Sequence, residues 1–112
     1  MLISTCEVLL RARSVGDFKL VVKEKIMRDI FDRLQALFWL TEDEVTVALK
    51  NYPAFHSAHE GFAVLKEEVD ELWDEVKKKP DARSKAKMKA ECIQIAAMAI
   101  RFSLELCDKD GE

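Results

Sequence analysis

Glycine and proline are scarce in this chain, whose 112 residues include three Gly and two Pro. Both residues interrupt helices, so their scarcity favours long helices and argues against a many-stranded sheet. Hydrophobic residues make up 49% of the chain and charged residues 35%, a balance that is globular and not disordered. We therefore predict a single all-α domain over residues 1–112, arranged as a helical bundle.

Cysteine is also scarce, and its spacing excludes two kinds of site. The three Cys are odd in number and form no CxxC pattern, which argues against a disulfide framework or a zinc site. Cys92 and Cys107 lie in an apolar helical run, so we expect small core residues in a reducing cytosol and hence a cytoplasmic protein. The formal net charge of -3 lacks the basic footprint of a nucleic-acid-binding protein. The apolar runs are short and interrupted by charges, so we expect neither a signal peptide nor contact with a membrane.

Capping signals divide the chain into three longer and two short predicted helices. Ser4–Glu7, Thr41–Glu44 and Ser57–Glu60 have the spacing of a capping box. Asp17 is a predicted N-cap, and the segments around Pro53 and Pro80 end helices. The expected bounds are about Ser4 to Arg13, Phe18 to Leu40, Thr41 to Lys50, Ser57 to Lys78 and Ser84 to Leu106.

Polar side chains three residues apart recur on the last two predicted helices. Glu68 and Glu71 form the first pair, and Glu91 and Gln94 form the second. A spacing of three places both members on one face, so an antiparallel hairpin brings the two pairs together. Converging carboxylates repel unless a cation lies between them, and a hard divalent ion with oxygen ligands meets that need. The sequence therefore proposes a magnesium-type site and, with it, phosphate chemistry.

The helical periodicity also predicts which faces are buried. On the helix from Ser57 the expected core stripe consists of Leu65, Val69, Leu72 and Val76. Glu68, Glu71 and Glu75 should border that core, whereas Glu67 and Asp74 should be solvated. On the last helix the expected core stripe consists of Ile93, Ala97, Ile100 and Leu104. A single polar line remains there, which we expect to face a cleft or a neighbouring helix: Glu91, Gln94, Arg101, Glu105 and Asp108.

Residues 55–108 resemble the MazG-like all-α nucleoside triphosphate pyrophosphohydrolases, whose two motifs are EExxE and ExxD on successive helices. Residues 67–71 stand as the first motif and residues 91–94 as the second. The resemblance implies that Glu68, Glu71 and Glu91 bind Mg²⁺ (or Mn²⁺) and are catalytic. It also implies hydrolysis of a nucleoside triphosphate to the monophosphate and pyrophosphate, in a homodimer or a homotetramer. Residues 1–50 are expected to be helical and match no family motif.

Gln94 departs from the pattern, because it occupies the position of the family's Asp. A Gln carbonyl can ligate a hard cation but brings no negative charge and is a poor base. Two interpretations stay open: a subgroup whose metal ligands include Gln94, or a degraded site. The alternative function is accordingly a non-catalytic helical protein that assembles into oligomers or binds nucleotides.

Three basic residues are candidates for binding the triphosphate. Arg101 shares the polar line of Glu91 and Gln94, while Lys78 and Arg83 lie in the basic segment between the two motif helices. Each has a structural explanation as well: an ion pair for Arg101, and a solvated connector for the other two. Base preference and the choice between ribose and deoxyribose do not follow from these residues.

Overall fold

Helices account for nearly all of residues 14–108, the part of the chain that this computed structural model describes, and no strand occurs among them. α1 spans Val15–Asn51, α2 spans Ala58–Val76 and α3 spans Lys85–Phe102. A 3₁₀ turn, Pro80–Ala82, precedes α3, and a π-helical turn, Ser103–Cys107, follows it. The all-α prediction is thus confirmed, while the short helix expected at Ser4 lies outside the described residues.

The first long helix is longer than the sequence predicted. α1 continues without interruption past Thr41, so the prediction of a separate helix beginning there was wrong. A capping box stabilises a helix start, where the first backbone amides lack partners within the helix, but inside a helix those amides are already paired. No Gly or Pro lies between Asp17 and Tyr52 to interrupt the helix. The expected N-cap at Asp17 was also wrong, because Ser14 Oγ accepts the hydrogen bond from the Asp17 amide at 3.1 Å.

The other two helices begin where the sequence predicted. Ser57 Oγ accepts a hydrogen bond from the Glu60 amide, and Ser84 Oγ accepts one from the Lys87 amide, both at 3.1 Å. Each serine has an extended backbone conformation, as an N-cap requires. These local hydrogen bonds fix the starting points of the two helices that carry the polar pairs.

The chain divides into two compact units, Met1–Phe38 and Trp39–Glu112. In the first, Val21 is buried with Val22 packed against it. In the second, a core of five buried residues is surrounded by half-buried Val64, Leu65, Phe102 and Leu106. The five buried residues are Val45, Ala48, Phe55, Ala97 and Met98.

α2 and α3 form an antiparallel hairpin in the second unit. At one end of the hairpin Glu75 contacts Ser84, and towards the other end Gly61 lies against Phe102. A Cβ on Gly61 would lie 2.7 Å from the Phe102 ring and 2.9 Å from a Leu106 methyl group. The absent side chain therefore lets the two elements approach closely.

The faces that α2 and α3 bury differ in part from the predicted ones. Val69, Ile100 and Leu104 were expected in the core but are 44%, 44% and 45% exposed. Cys92 and Cys107 were expected in the core as well, and both are exposed free thiols. The polar line faces inward as predicted over most of its length, since Arg101 and Glu105 are buried and Gln94 is half-buried, whereas Asp108 is exposed. The face choice thus follows the packing partner and not apolarity alone.

Within residues 14–108, no helix combines the length and the apolar character needed to cross a membrane.

Candidate metal centre

Three carboxylates from the hairpin converge at one place. Glu68 and Glu71 lie one turn apart on α2, and Glu91 lies opposite them on α3. One carboxylate oxygen from each of the three residues lies within 4.8 Å of the others. Glu68 and Glu91 are half-buried, whereas Glu71 is exposed. The structure therefore brings together the three residues that the sequence proposed as metal ligands.

The raised pKa values in this cluster show that three ionised carboxylates so close together are unfavourable. Burial raises the pKa of Glu68 to about 7, and the negative charge of Glu71 adds to the effect. The Glu91 carboxylate raises the pKa of Glu71, first by accepting a hydrogen bond from its protonated form and then by its charge. Full ionisation of the cluster is therefore unfavourable unless a cation compensates it.

A hard divalent cation fits this set of donors. Its ligands would be carboxylate oxygens, which Mg²⁺ and Ca²⁺ prefer. Glu91 Oε2 is buried and has no hydrogen-bond partner within residues 14–108, so one acceptor of the cluster lacks the contact that burial ordinarily demands. An ion held by Glu68, Glu71 and Glu91 would satisfy that oxygen and offset the mutual repulsion.

Gln94 lies one turn beyond Glu91 and lines a cavity next to the cluster. The cavity has a volume of about 470 Å³, and Glu68 is one of its lining residues. It is lined by Glu44, Val47, Ala48, Tyr52, Pro53, Phe55, Glu60, Val64, Glu68, Gln94, Met98 and Arg101. Ligation of a cation by the Gln94 carbonyl stays a prediction.

Arg101 contributes to the wall of the same cavity but already has strong partners. Its Nε donates to Glu105 Oε1 at 2.9 Å, and its Nη2 donates to the Pro53 carbonyl at 2.7 Å. The guanidinium carbon also lies 4.0 Å from the centre of the Phe55 ring. Glu105 Oε2 in turn accepts a hydrogen bond from the Phe55 amide. The pair thus fastens the loop after α1 to the end of α3, and a phosphate contact by Arg101 stays a prediction.

Lys78 and Arg83 hold the connector between α2 and α3. Lys78 Nζ donates to Glu75 Oε2 at 2.8 Å, and Arg83 Nε donates to the Val76 carbonyl at 2.7 Å. The Ser84 amide donates to Glu75 Oε1, so the buried Glu75 joins both sides of the connector. The Lys78 ammonium, followed by the Ser84 amide, lowers the pKa of Glu75. Both basic residues therefore have structural contacts, and their role in binding substrate stays a prediction.

Two residues that the sequence analysis treated only in passing shape the cavity region. Glu44 was assigned to a capping box, yet it lines the cavity. Glu105 was one member of a polar line, yet it holds the loop through Phe55. Glu44 lies next to Thr41, Val45 and Ala48, which follow one another at helical spacing on α1 and are all buried. This position beside a buried face is the signal that could have identified Glu44. The i,i+4 spacing indicates the ion pair of Glu105 with Arg101, but no local signal exists for its contact with the Phe55 amide, because that partner is 50 residues away.

Comparison of the chain with family models, curated proteins and solved structures finds no match. The assignment of function therefore depends on the geometry of the cluster and its surroundings.

Proposed function

We propose that this protein is a Mg²⁺-dependent hydrolase that converts a nucleoside triphosphate to the monophosphate and pyrophosphate, as the MazG-like enzymes do. The observation that carries the proposal is the convergence of Glu68, Glu71 and Glu91 from two helices, with a buried oxygen of Glu91 left without a partner. Mn²⁺ is an alternative ion for the same oxygen ligands. The cytoplasmic location expected from the scattered cysteines belongs to the same proposal.

The three carboxylates have distinct positions from which to act. When bound, Mg²⁺ neutralises phosphate charge and lowers the pKa of a bound water. Glu68 and Glu91 are half-buried, whereas Glu71 is exposed to solvent. A carboxylate of the cluster that is not engaged in ligation orients the attacking water or accepts its proton. The adjoining cavity provides room for the remainder of the nucleotide.

The test is pyrophosphate release from a panel of ribonucleoside and deoxyribonucleoside triphosphates with Mg²⁺. Glu71→Gln should lower the rate roughly hundredfold or more, because metal ligation contributes several kcal/mol to transition-state stabilisation. Glu67→Gln is the matched control, since Glu67 is exposed on the same helix outside the cluster. Absence of pyrophosphate with every nucleotide, or an equal rate in the two variants, would contradict the proposal.

Substitution of Gln94 distinguishes the two interpretations of its neutral side chain, a working site that includes Gln94 and a degraded site. If its amide belongs to a working site, Gln94→Asp should leave the rate unchanged or lower it. If the site is degraded, the same substitution should create or increase turnover, because it adds the missing charge. A protein that binds nucleotide with Mg²⁺ but releases no pyrophosphate in either form would support the non-catalytic alternative.

Self-association belongs to the same proposal. Phe62, Val69 and Trp73 fall within about 40° of one another around α2, and all three are exposed. Ile100 on α3 and Leu104 in the turn after it are exposed as well. Large contiguous apolar surfaces are rare on monomers. We infer that a second copy of the chain covers this surface, which corresponds to the homodimer or homotetramer that the resemblance implies.

A further inference from the structure

The cavity beside the carboxylate cluster has the size and the walls of a ligand site. Its volume of about 470 Å³ lies within the range of small-molecule pockets. Val47, Ala48, Val64 and Met98 supply apolar walls, to which Phe55 adds an aromatic ring. Such walls suit a flat ring, which gains contact area at little entropic cost. Because Glu68 lines the cavity as well, a ligand there would be continuous with one bound at the cluster.

The charged side chains of the cavity other than Glu44 are engaged with further residues of the protein. Arg101 is paired with Glu105 and the Pro53 carbonyl, so its charge is already balanced. Glu60 accepts hydrogen bonds from the His56 ring at 2.9 Å and from the His56 amide at 3.2 Å. Glu68 belongs to the three-carboxylate cluster. These groups therefore contribute little to choosing a ligand.

Glu44 differs from the other acids of the cavity. It is half-buried, and within residues 14–108 its side chain forms neither a hydrogen bond nor an ion pair. An ionised carboxylate only accepts hydrogen bonds, so it favours a ligand that presents N–H groups and disfavours one that presents oxygen. The Gln94 amide, by contrast, can donate or accept and so does not discriminate by itself. The chemistry of the free acceptor thus points to a ring that carries an amino group.

We propose that this cavity holds the nucleobase and that Glu44 selects bases bearing an exocyclic amino group over their oxo counterparts. The inference rests on the proposed function, since it names the substrate class of the same site. Replacing the amino group by an oxo group sets two acceptors against each other and leaves the carboxylate unpaired. A loss of that kind weakens binding by about tenfold or more.

Two matched pairs of nucleotides test the proposal directly. CTP and UTP differ in the 4-amino and 4-oxo groups, and ATP and ITP differ in the 6-amino and 6-oxo groups. Binding is measured by calorimetry with Ca²⁺, which accepts the same oxygen ligands as Mg²⁺, so that the readout is affinity and not turnover. The amino member should bind at least about tenfold more tightly in one pair or both. Equal affinity within both pairs, or no binding of any of the four, would overturn the proposal.

Variants of α1 show whether Glu44 is responsible. Glu44→Gln should bring the ratio of affinities close to one, because an amide can turn its N–H groups towards an oxo group. Glu42→Gln, which changes an exposed residue outside the cavity, should keep the wild-type ratio. Thermal melts of both variants establish that the fold is intact. An unchanged ratio in a folded Glu44→Gln variant would also overturn the assignment.

The outcomes separate this inference from the proposed function. Selective binding of the amino member without pyrophosphate release supports the cavity assignment and contradicts the hydrolase. Pyrophosphate release with equal affinity for the amino and oxo members supports the hydrolase and contradicts the role of Glu44.

Discussion

The buried ion pair of Arg101 and Glu105 yields a prediction that separates a structural role from a role in binding substrate. The two side chains are 6% and 7% exposed, and their N–O distance is 2.9 Å. Arg101→Met would leave the Glu105 carboxylate buried with the Phe55 amide as its remaining contact. Removing one partner of a buried pair costs about 3–5 kcal/mol, because the other charge is left uncompensated. We therefore expect a large fall in the free energy of unfolding.

Urea denaturation at a fixed protein concentration measures this loss. With an m-value of about 2 kcal/mol per molar urea, a loss of about 4 kcal/mol lowers the midpoint by about 2 M. Lys66→Met is the matched control, because Lys66 and Asp70 have the same sequence spacing and the same 2.9 Å distance but are each 58% exposed. That exposed pair should contribute less than about 1 kcal/mol. Burial is thus the variable that differs between the two experiments.

A double-mutant cycle tests the reasoning further. Arg101→Met combined with Glu105→Gln should cost less than the sum of the single changes, since the double variant leaves no uncompensated buried charge. The expected coupling is about 0.5–3 kcal/mol. An Arg101→Met variant that unfolds at the wild-type midpoint but binds nucleotide more weakly would refute this reasoning and favour the phosphate contact.

Three further predictions concern the carboxylate cluster and the exposed apolar surface. Burial raises the pKa of Glu68 to about 7, so without metal the folded state binds more protons than the unfolded state between pH 4.5 and 7. The free energy of unfolding should therefore fall as the pH rises from about 4.5 to 7. Mg²⁺ competes with those protons, so the rise in melting temperature that it causes should be larger at pH 8 than at pH 6; equal rises would contradict the site. Glu71→Gln removes one repelling charge, so it should raise the melting temperature without metal and reduce the gain on adding Mg²⁺. Trp73→Gln should weaken self-association in analytical ultracentrifugation without loss of helix content, whereas a monomeric wild-type protein would contradict that interface.

Features fixed by local hydrogen bonds were predictable from the sequence. The N-caps at Ser57 and Ser84 depend on an amide three residues away, so their spacing alone identified them. The convergence of Glu68, Glu71 and Glu91 was predictable because helical periodicity and one hairpin connection determine it. The uninterrupted α1 was not foreseen, since a capping-box pattern has the same spacing inside a helix as at its start.

Features fixed by distant partners were not predictable. The helical period predicts a core stripe that contains Ile100 and Leu104, but both side chains are exposed. The polar line was expected to face a cleft or a neighbouring helix, but its partner was not predicted: a loop about 50 residues earlier, whose Pro53 carbonyl and Phe55 amide hydrogen-bond to Arg101 and Glu105. No period along one helix contains that information.

The inward polar line and the outward apolar stripe have a common cause. Arg101 and Glu105 hydrogen-bond to the Pro53 carbonyl and the Phe55 amide, and these contacts fit one rotation of α3 about its axis. The same rotation turns Gln94 towards the cavity and Glu91 towards Glu68 and Glu71. It necessarily carries Ile100 and Leu104 to the outside, where only another surface can remove them from water. The arrangement that assembles the carboxylate cluster therefore also leaves Ile100 and Leu104 exposed, so changes to the Arg101–Glu105 pair should affect the candidate site and the exposure of these two side chains together.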